Sequence, residues 1–329
     1  MSGIMASWIV LTLGAVGAVL LCFGADGLVR GGAALARAAK VPTLVIGLTI
    51  VAFGTSAPEL VVSIDAAWHG SGDISIGNVV GSNICNIALI LGASALIRKL
   101  PVNKSLFKLD LPAMIFSSLL LAALCVWRGG LGRIEGGIFC LLLAAYLAKR
   151  FYNARHDADE AAALAAEAEE AKPMRWELAV LLTAVSIGML VAGAKLFVAG
   201  AVRAAELLHV SNAVIGLTVV ALGTSLPELA TSVAAALRGE CDIAIGNVVG
   251  SNLFNVLCIL GIAPLVSPMA AGKVNHFDFA LMAGCGLLLW AMMKSGDAIS
   301  RKEGGALLFI YALYMVKLVC WPEWGGAWI

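Results

Sequence analysis

Charge is what this chain has least of. Only 13% of its 329 residues are Asp, Glu, Lys or Arg, where roughly a quarter is ordinary for a soluble protein. Apolar residues make up 61%, and mean hydropathy is +0.96. Such a chain cannot cover itself with polar surface, so its solvent is lipid. A formal net charge of +1 leaves no basic excess for nucleic acid or for polybasic attraction to a membrane surface. Cysteine pairing is missing too. The eight cysteines stand singly, several inside apolar segments (Cys22, Cys125, Cys140, Cys258, Cys285), and no C-x-x-C occurs. That excludes a disulfide framework or a metal finger and leaves small packing residues. Met1 to Val10 lacks a charged leader region and a small-residue cleavage site before polar sequence. The first apolar segment therefore reads as a retained helix.

Apolar runs are what the chain has instead. A bilayer span needs about 20 mostly apolar residues, and ten segments meet that length. They are 7–30, 43–67, 73–97, 106–127, 131–150, 176–200, 212–236, 242–266, 277–294 and 303–322. The one long polar stretch, Asn153 to Lys172, reads as a solvated helical linker. Asp157, Asp159 and Glu160 faintly suggest a calcium loop. Ala162 stands where that loop needs glycine, and Ala168 where it needs glutamate, so the suggestion fails. Basic residues mark the cytoplasmic side of a membrane protein. With the N-terminus outside, 16 of the 22 Lys and Arg fall on inside loops and flanks, 4 on outside loops and 2 within spans. Both ends are expected outside.

The sequence repeats itself. A shift of 169 residues lays Val45–Gly92 on Val214–Gly261 without a gap, with 31 identities in 48 positions. Upstream, Gly24-Ala25 meets Gly193-Ala194, and Gly31 meets Gly200. Residues 1–150 thus form one five-span unit, 151–175 a cytoplasmic linker and 176–329 a second unit. Five is odd, so the second copy enters the membrane from the opposite side. The expected fold is an all-α integral membrane protein with ten transmembrane helices in two inverted five-helix repeats, as in secondary transporters.

Two polar segments interrupt each copy. Gly54-Thr55-Ser56-Ala57-Pro58-Glu59 is matched by Gly223-Thr224-Ser225-Leu226-Pro227-Glu228. Gly77-Asn78-Val79-Val80-Gly81-Ser82-Asn83, with Asn86 beyond, is matched by Gly246-Asn247-Val248-Val249-Gly250-Ser251-Asn252, with Asn255 beyond. A carboxylate at mid-membrane is costly and persists where it lines a cavity or binds something. Lys195 is the one basic residue deep in a span, and it cannot neutralise both Glu59 and Glu228. Thr55 and Glu59 lie four apart, as do Thr224 and Glu228, so hydroxyl and carboxylate share a helix face. Asn78, Ser82 and Asn86 form a second stripe, mirrored by Asn247, Ser251 and Asn255. Pro58 and Pro227 have no N–H for the carbonyls of Gly54 and Gly223 and should kink each helix. The glycines at 77, 81, 246 and 250 let helices approach closely. Every candidate donor is an oxygen. That suits hard cations such as Ca2+, which takes 6–8 of them, and disfavours zinc, copper or iron.

At these residues the chain resembles the Ca2+/cation antiporter superfamily, in particular the bacterial sodium/calcium exchangers. The resemblance covers both halves. It implies broken central helices in each half and a cation site built by Thr55, Ser56, Glu59, Ser82 and Asn86 with Thr224, Ser225, Glu228, Ser251 and Asn255. Main-chain carbonyls near Ala52 and Ala221 join them. Some members carry aspartate where this chain has Asn86 or Asn255, which lowers the charge of the site here. The implied function is exchange of Ca2+ for Na+ across a bacterial inner membrane by alternating access, in the service of calcium homeostasis. The two ions are cargo, the bilayer is the surroundings, and no cofactor, nucleic acid or obligate protein partner is expected. Exchange against protons, or with K+ co-transport, would use the same residues. A passive channel fits a duplicated inverted site poorly. For an intramembrane enzyme the paired acids are glutamates, and no H-E-x-x-H motif appears.

The charge count makes the topology testable. Reporter fusions should place the Asn153–Lys172 linker on the inner face and the C-terminus on the outer. A linker on the outer face would refute the inverted arrangement.

Overall fold

A computed structural model of the chain describes residues 2–156, 174–207, 221–272 and 274–320. Most of the expected linker, the start of the seventh expected segment and the last nine residues lie outside the described residues. Helix α1 (Ser2–Ala39) leads to a bent pair, α2 (Thr43–Thr55) and α3 (Ala57–Trp68). Then come α4 (Gly72–Ile97), α5 (Asp110–Arg128) and α6 (Arg133–His156). The second half shows α7 (Trp176–Leu207), the short α8 (Ala221–Thr224), α9 (Leu226–Arg238), α10 (Cys241–Val266), α11 (His276–Gly296) and α12 (Arg301–Cys320). Among the described residues six helices are long and apolar enough to cross a membrane, or seven if α2 and α3 count as one broken span. The expected segments 131–150 and 303–322 fall on α6 and α12, which also carry charged residues at their ends.

The halves are stapled together at both ends of α5. Strand β1 (Leu100–Pro101) pairs antiparallel with β4 (Ala298–Ile299), and β2 (Gly130–Leu131) with β3 (Met269–Ala270). Each pair joins a loop of one half to a loop of the other. Helix α5 separates β1 from β2 by its own length, so the staples sit far apart. Gly129 takes a left-handed φ of +73° to close α5 before β2, a conformation that glycine adopts without a Cβ penalty.

Small residues bring the long helices into backbone contact, as lipid-embedded helices require. Along the seam of α1 and α7, a Cβ on Gly17 would stand 2.6 Å from Phe197 N, and one on Gly193 would stand 3.0 Å from Gly17 O. Gly24 and Gly31 also face α7 here, which gives the weak upstream repeat a packing reason. At the centre, α2 lies on α10. A Cβ on Gly250 would meet Leu48 O at 2.5 Å and Ala52 Cβ at 2.7 Å. Helices α4 and α10 are the most enclosed of the long helices.

Two buried charge clusters pin the outer helices. Asp110, in the first turn of α5, accepts a 2.8 Å hydrogen bond from Tyr146 Oη and lies 3.4 Å from Arg150 Nε. Lys317 of α12 donates to Asp278 of α11 at 3.0 Å. Asp110, Tyr146 and Lys149 recur 168 residues on as Asp278, Tyr314 and Lys317, but the base differs in position: Asp110 is met by Arg150, and Asp278 by the counterpart of Lys149. One reading is corrected here. The charge count treats Arg150 as an inside flank, but α6 continues to His156, and Arg150 turns inward with 1% of its side chain exposed.

Removing one member of a buried ion pair typically costs about 3–5 kcal/mol, because it strands the other charge. Asp110→Asn should therefore lower the thermal midpoint in detergent sharply. The double substitution Asp110→Leu with Arg150→Met should recover much of the loss. Equal midpoints for Asp110→Asn and the parent would remove this cluster from the fold's supports.

Candidate functional site

The helix break sits at serine in both halves. Ser56, between α2 and α3, has φ −80° and ψ 6°, and Ser225, between α8 and α9, has φ −87° and ψ 7°. The bend from α2 to α3 is 48°. Proline two residues on explains the position, since Pro58 offers no N–H to Gly54 and Pro227 none to Gly223. The next helix starts at once, with Leu60 N bonded to Ser56 O and Leu229 N to Ser225 O. Glu59 and Glu228 therefore occupy first turns, where the helix dipole favours a negative charge. Both are buried at 1% exposure.

Each broken turn serves the other half's carboxylate. Ser56 Oγ donates to Glu228 Oε1 at 3.0 Å, and Ser225 Oγ donates to Glu59 Oε1 at 3.2 Å. Ser225 Oγ also lies 3.4 Å from Ser82 Oγ. Thr55 Oγ1 stands 3.0 Å from Asn247 Oδ1 and 3.2 Å from Ala52 O, and Ser251 Oγ reaches the same carbonyl at 3.5 Å. Thr224 is half-buried, and its hydroxyl has no hydrogen-bond partner. The side chain of Ala221 is outside the described residues.

Where α4 and α10 cross, four asparagines interlock. Asn83 and Asn252 each donate through Nδ2 to the other's main-chain carbonyl, at 3.3 and 3.4 Å. Their side-chain oxygens accept in turn from Asn86 Nδ2 at 2.9 Å and Asn255 Nδ2 at 3.0 Å. Asn86 and Asn255 open π-helical stretches, Asn86–Leu91 and Asn255–Ile259, a widened turn that often marks functional sites. Their donors are spent inside the protein. What remains is a set of buried oxygens without a hydrogen-bond partner: Glu59 Oε2, Glu228 Oε2, Asn86 Oδ1 and Asn255 Oδ1. A buried polar atom left so is costly unless it meets a ligand. These atoms are acceptors only, which is what a cation needs.

The structure thus gathers Thr55, Ser56, Glu59, Ser82, Asn86, Ser225, Glu228, Ser251, Asn255 and the Ala52 carbonyl into one buried cluster. Asn78 donates to Ser63 at 3.1 Å, while Asn247, which accepts from Thr55, donates to Ser232 at 2.9 Å and to the Glu228 main-chain carbonyl at 3.3 Å. Asn83 and Asn252 are the residues that stripe reasoning passed over. They fall five positions after Asn78 and Asn247, off the i, i+4 face. The signal was there in their repetition within both polar segments.

A family profile described as sodium/calcium exchanger protein matches residues 9–152 and 178–319. The CaxA protein of Alkalimonas amylolytica is 38% identical over 92% of this chain and 96% of its own length. The sodium/calcium exchanger MaX1 of Methanosarcina acetivorans is 33% identical over the same two shares, 92% and 96%. Among solved structures, the sodium-calcium exchanger NCX_Mj superposes with a TM-score of 0.82 at 32% identity, covering 95% of this chain and 99% of that one.

The asparagine clamp predicts its own test. Asn252→Ala strips Asn86 of its acceptor and lets its amide turn, at a cost of about 1–3 kcal/mol. Ca2+ binding by titration calorimetry should weaken by about tenfold, since 1.4 kcal/mol is one decade. Unchanged affinity would show that the clamp does not aim Asn86.

Proposed function

The chain belongs to the sodium/calcium exchanger family, a family of membrane antiporters and not of enzymes, and on that footing we propose that it exchanges Ca2+ for Na+. Cations are its substrates, and it uses no cofactor. The observation that carries the reading is the set of unpartnered buried oxygens, two from glutamate and two from asparagine, with neither glutamate in an ion pair among the described residues. Thr55, Ser56, Ser82, Thr224, Ser225, Ser251 and the carbonyls of Ala52 and Ala221 are the further ligands we assign. Two carboxylates balance one Ca2+ or two Na+, so the ions compete for the same charge. Because Asn86 and Asn255 are neutral, any third Na+ would rest on neutral oxygens alone.

The architecture we assign is ten spans in two inverted repeats of five, with both termini outside a bacterial inner membrane. The matched serine breaks and the paired staples support the repeat. With Arg150 withdrawn into the protein, the basic residues still divide 15 to 4. Alternating access follows from two matched turns that meet at one site.

The experiment is Na+-driven Ca2+ uptake in proteoliposomes with a protonophore present. An outward Na+ gradient should drive uptake, and Glu59→Gln or Glu228→Gln should abolish it, because one carboxylate would then face a dication alone. Uptake that ignores Na+, follows an imposed pH gradient and vanishes with protonophore would make the protein a proton/calcium exchanger instead.

A further inference from the structure

Beside the cation site, between α3 and α7, lies an apolar cavity of about 380 Å³. Pro58 and Val61 form one wall, Val191 and Val198 the opposite one, and Thr224 its inner end. Pro58 immediately precedes Glu59, so whatever fills the cavity stands against the turn that carries that carboxylate. Among the described residues that line it, one is charged, Lys195. Among the described residues Lys195 makes no ion pair or hydrogen bond. It lies nine residues before Ala204, the end of the apolar stretch of α7, or about 13 Å at 1.5 Å per residue. An ammonium at such depth is costly without a partner.

The matching position of the first half is treated differently. A shift of 169 brings Lys195 onto Asp26 of α1. Asp26 is paired with Arg30 at 3.0 Å and with Arg238 at the end of α9. One face of the molecule is therefore tied by charge, while the other presents, over an apolar cavity, an ammonium with no ion pair among the described residues. The complement of that surface is an anion with an apolar tail. A water occupies about 30 Å³, so the cavity holds about a dozen groups of methylene size, one acyl chain and not two. Its depth below the helix end suits a bare carboxylate better than a glycerophosphate headgroup.

We propose that this cavity binds a free fatty acid of the bilayer, with its carboxylate on Lys195 and its chain between α3 and α7, and that occupancy slows cation exchange. Binding stands on the cavity and the lysine alone. Inhibition rests on the exchange proposed above, because the bound chain would cover Pro58 and Thr224 at the edge of the site.

The test uses the full chain in phosphatidylcholine vesicles with a diazirine-bearing fatty acid. Photolabelling should fall on α3 and α7 peptides, drop at least tenfold in Lys195→Met, and persist in Lys195→Arg. Val198→Phe, which fills the cavity and keeps the lysine, should also lose the label. Each variant is checked for wild-type elution on size exclusion, so that lost label is not lost fold. Equal labelling of Lys195→Met and the parent would overturn the site, and so would equal labelling by a diazirine phosphatidylcholine. In the same vesicles oleate should slow Ca2+ uptake several-fold in the parent and leave Lys195→Met unaffected. Labelling as expected with uptake indifferent to oleate would overturn the inhibition. Absence of Na+-driven uptake without oleate would count against exchange and leave the binding result standing.

Discussion

Two carboxylates share one buried site, no Lys or Arg is paired with either among the described residues, and the surrounding structure answers to that. A serine hydroxyl donates to each glutamate, and each serine comes from the opposite half. Neither half owns a complete site. The crossed arrangement makes the close approach of the halves a condition of function and not only of stability. Close backbone contacts, Gly250 on Leu48 and Gly246 on Leu44 and Leu48, join α10 to α2 beside the broken turn. A methyl group at Gly250 would clash with Leu48 O and Ala52 Cβ.

The asparagines settle the polarity of the centre. An amide is both donor and acceptor, so an asparagine pointed at random would present N–H groups to a cation. The crossing of α4 and α10 removes that ambiguity by having Asn83 and Asn252 absorb the donors of Asn86 and Asn255. The π-helical turns that begin at Asn86 and Asn255 shift these side chains relative to a regular helix, and the same residues thereby mark the widened turn and the oriented oxygen. Backbone irregularity, amide orientation and charge balance are one arrangement, not three.

Much of this was legible in the sequence, because each legible feature has a local cause. Apolar length located some helices closely, as with 43–67 against the pair Thr43–Thr55 and Ala57–Trp68, while α1 runs nine residues past its expected end at 30. Proline chemistry located the break, and the gapless repeat announced two matched contributions to one site. What stayed hidden depends on partners distant in the chain. Asn83 looks like any polar residue off the stripe until α10 crosses it. Arg150 reads as a loop cation because nothing local says that α6 runs six residues past it with Asp110 opposite. The Asp110 and Asp278 clusters repeat at 168, not 169, and so escape a search made at the offset of the gapless segment.

The two halves differ in surroundings both where their residues match and where they do not. Thr55 is fully buried and engaged with Asn247, while Thr224, its counterpart, is half-buried, has no hydrogen-bond partner and lines the cavity beside Lys195. Asp26 is tied to Arg238 on α9, while Lys195 makes no ion pair among the described residues. Both turns border the cavity, the first half's through Pro58 and the second's through Thr224, but only Thr55 has its hydroxyl engaged. Under the proposed exchange the protein alternates between two end states. The residues at the two faces are not copies, acid on one and base on the other. The two end states therefore need not be equal in energy, and the balance between them can be set by charges that never touch the transported ion.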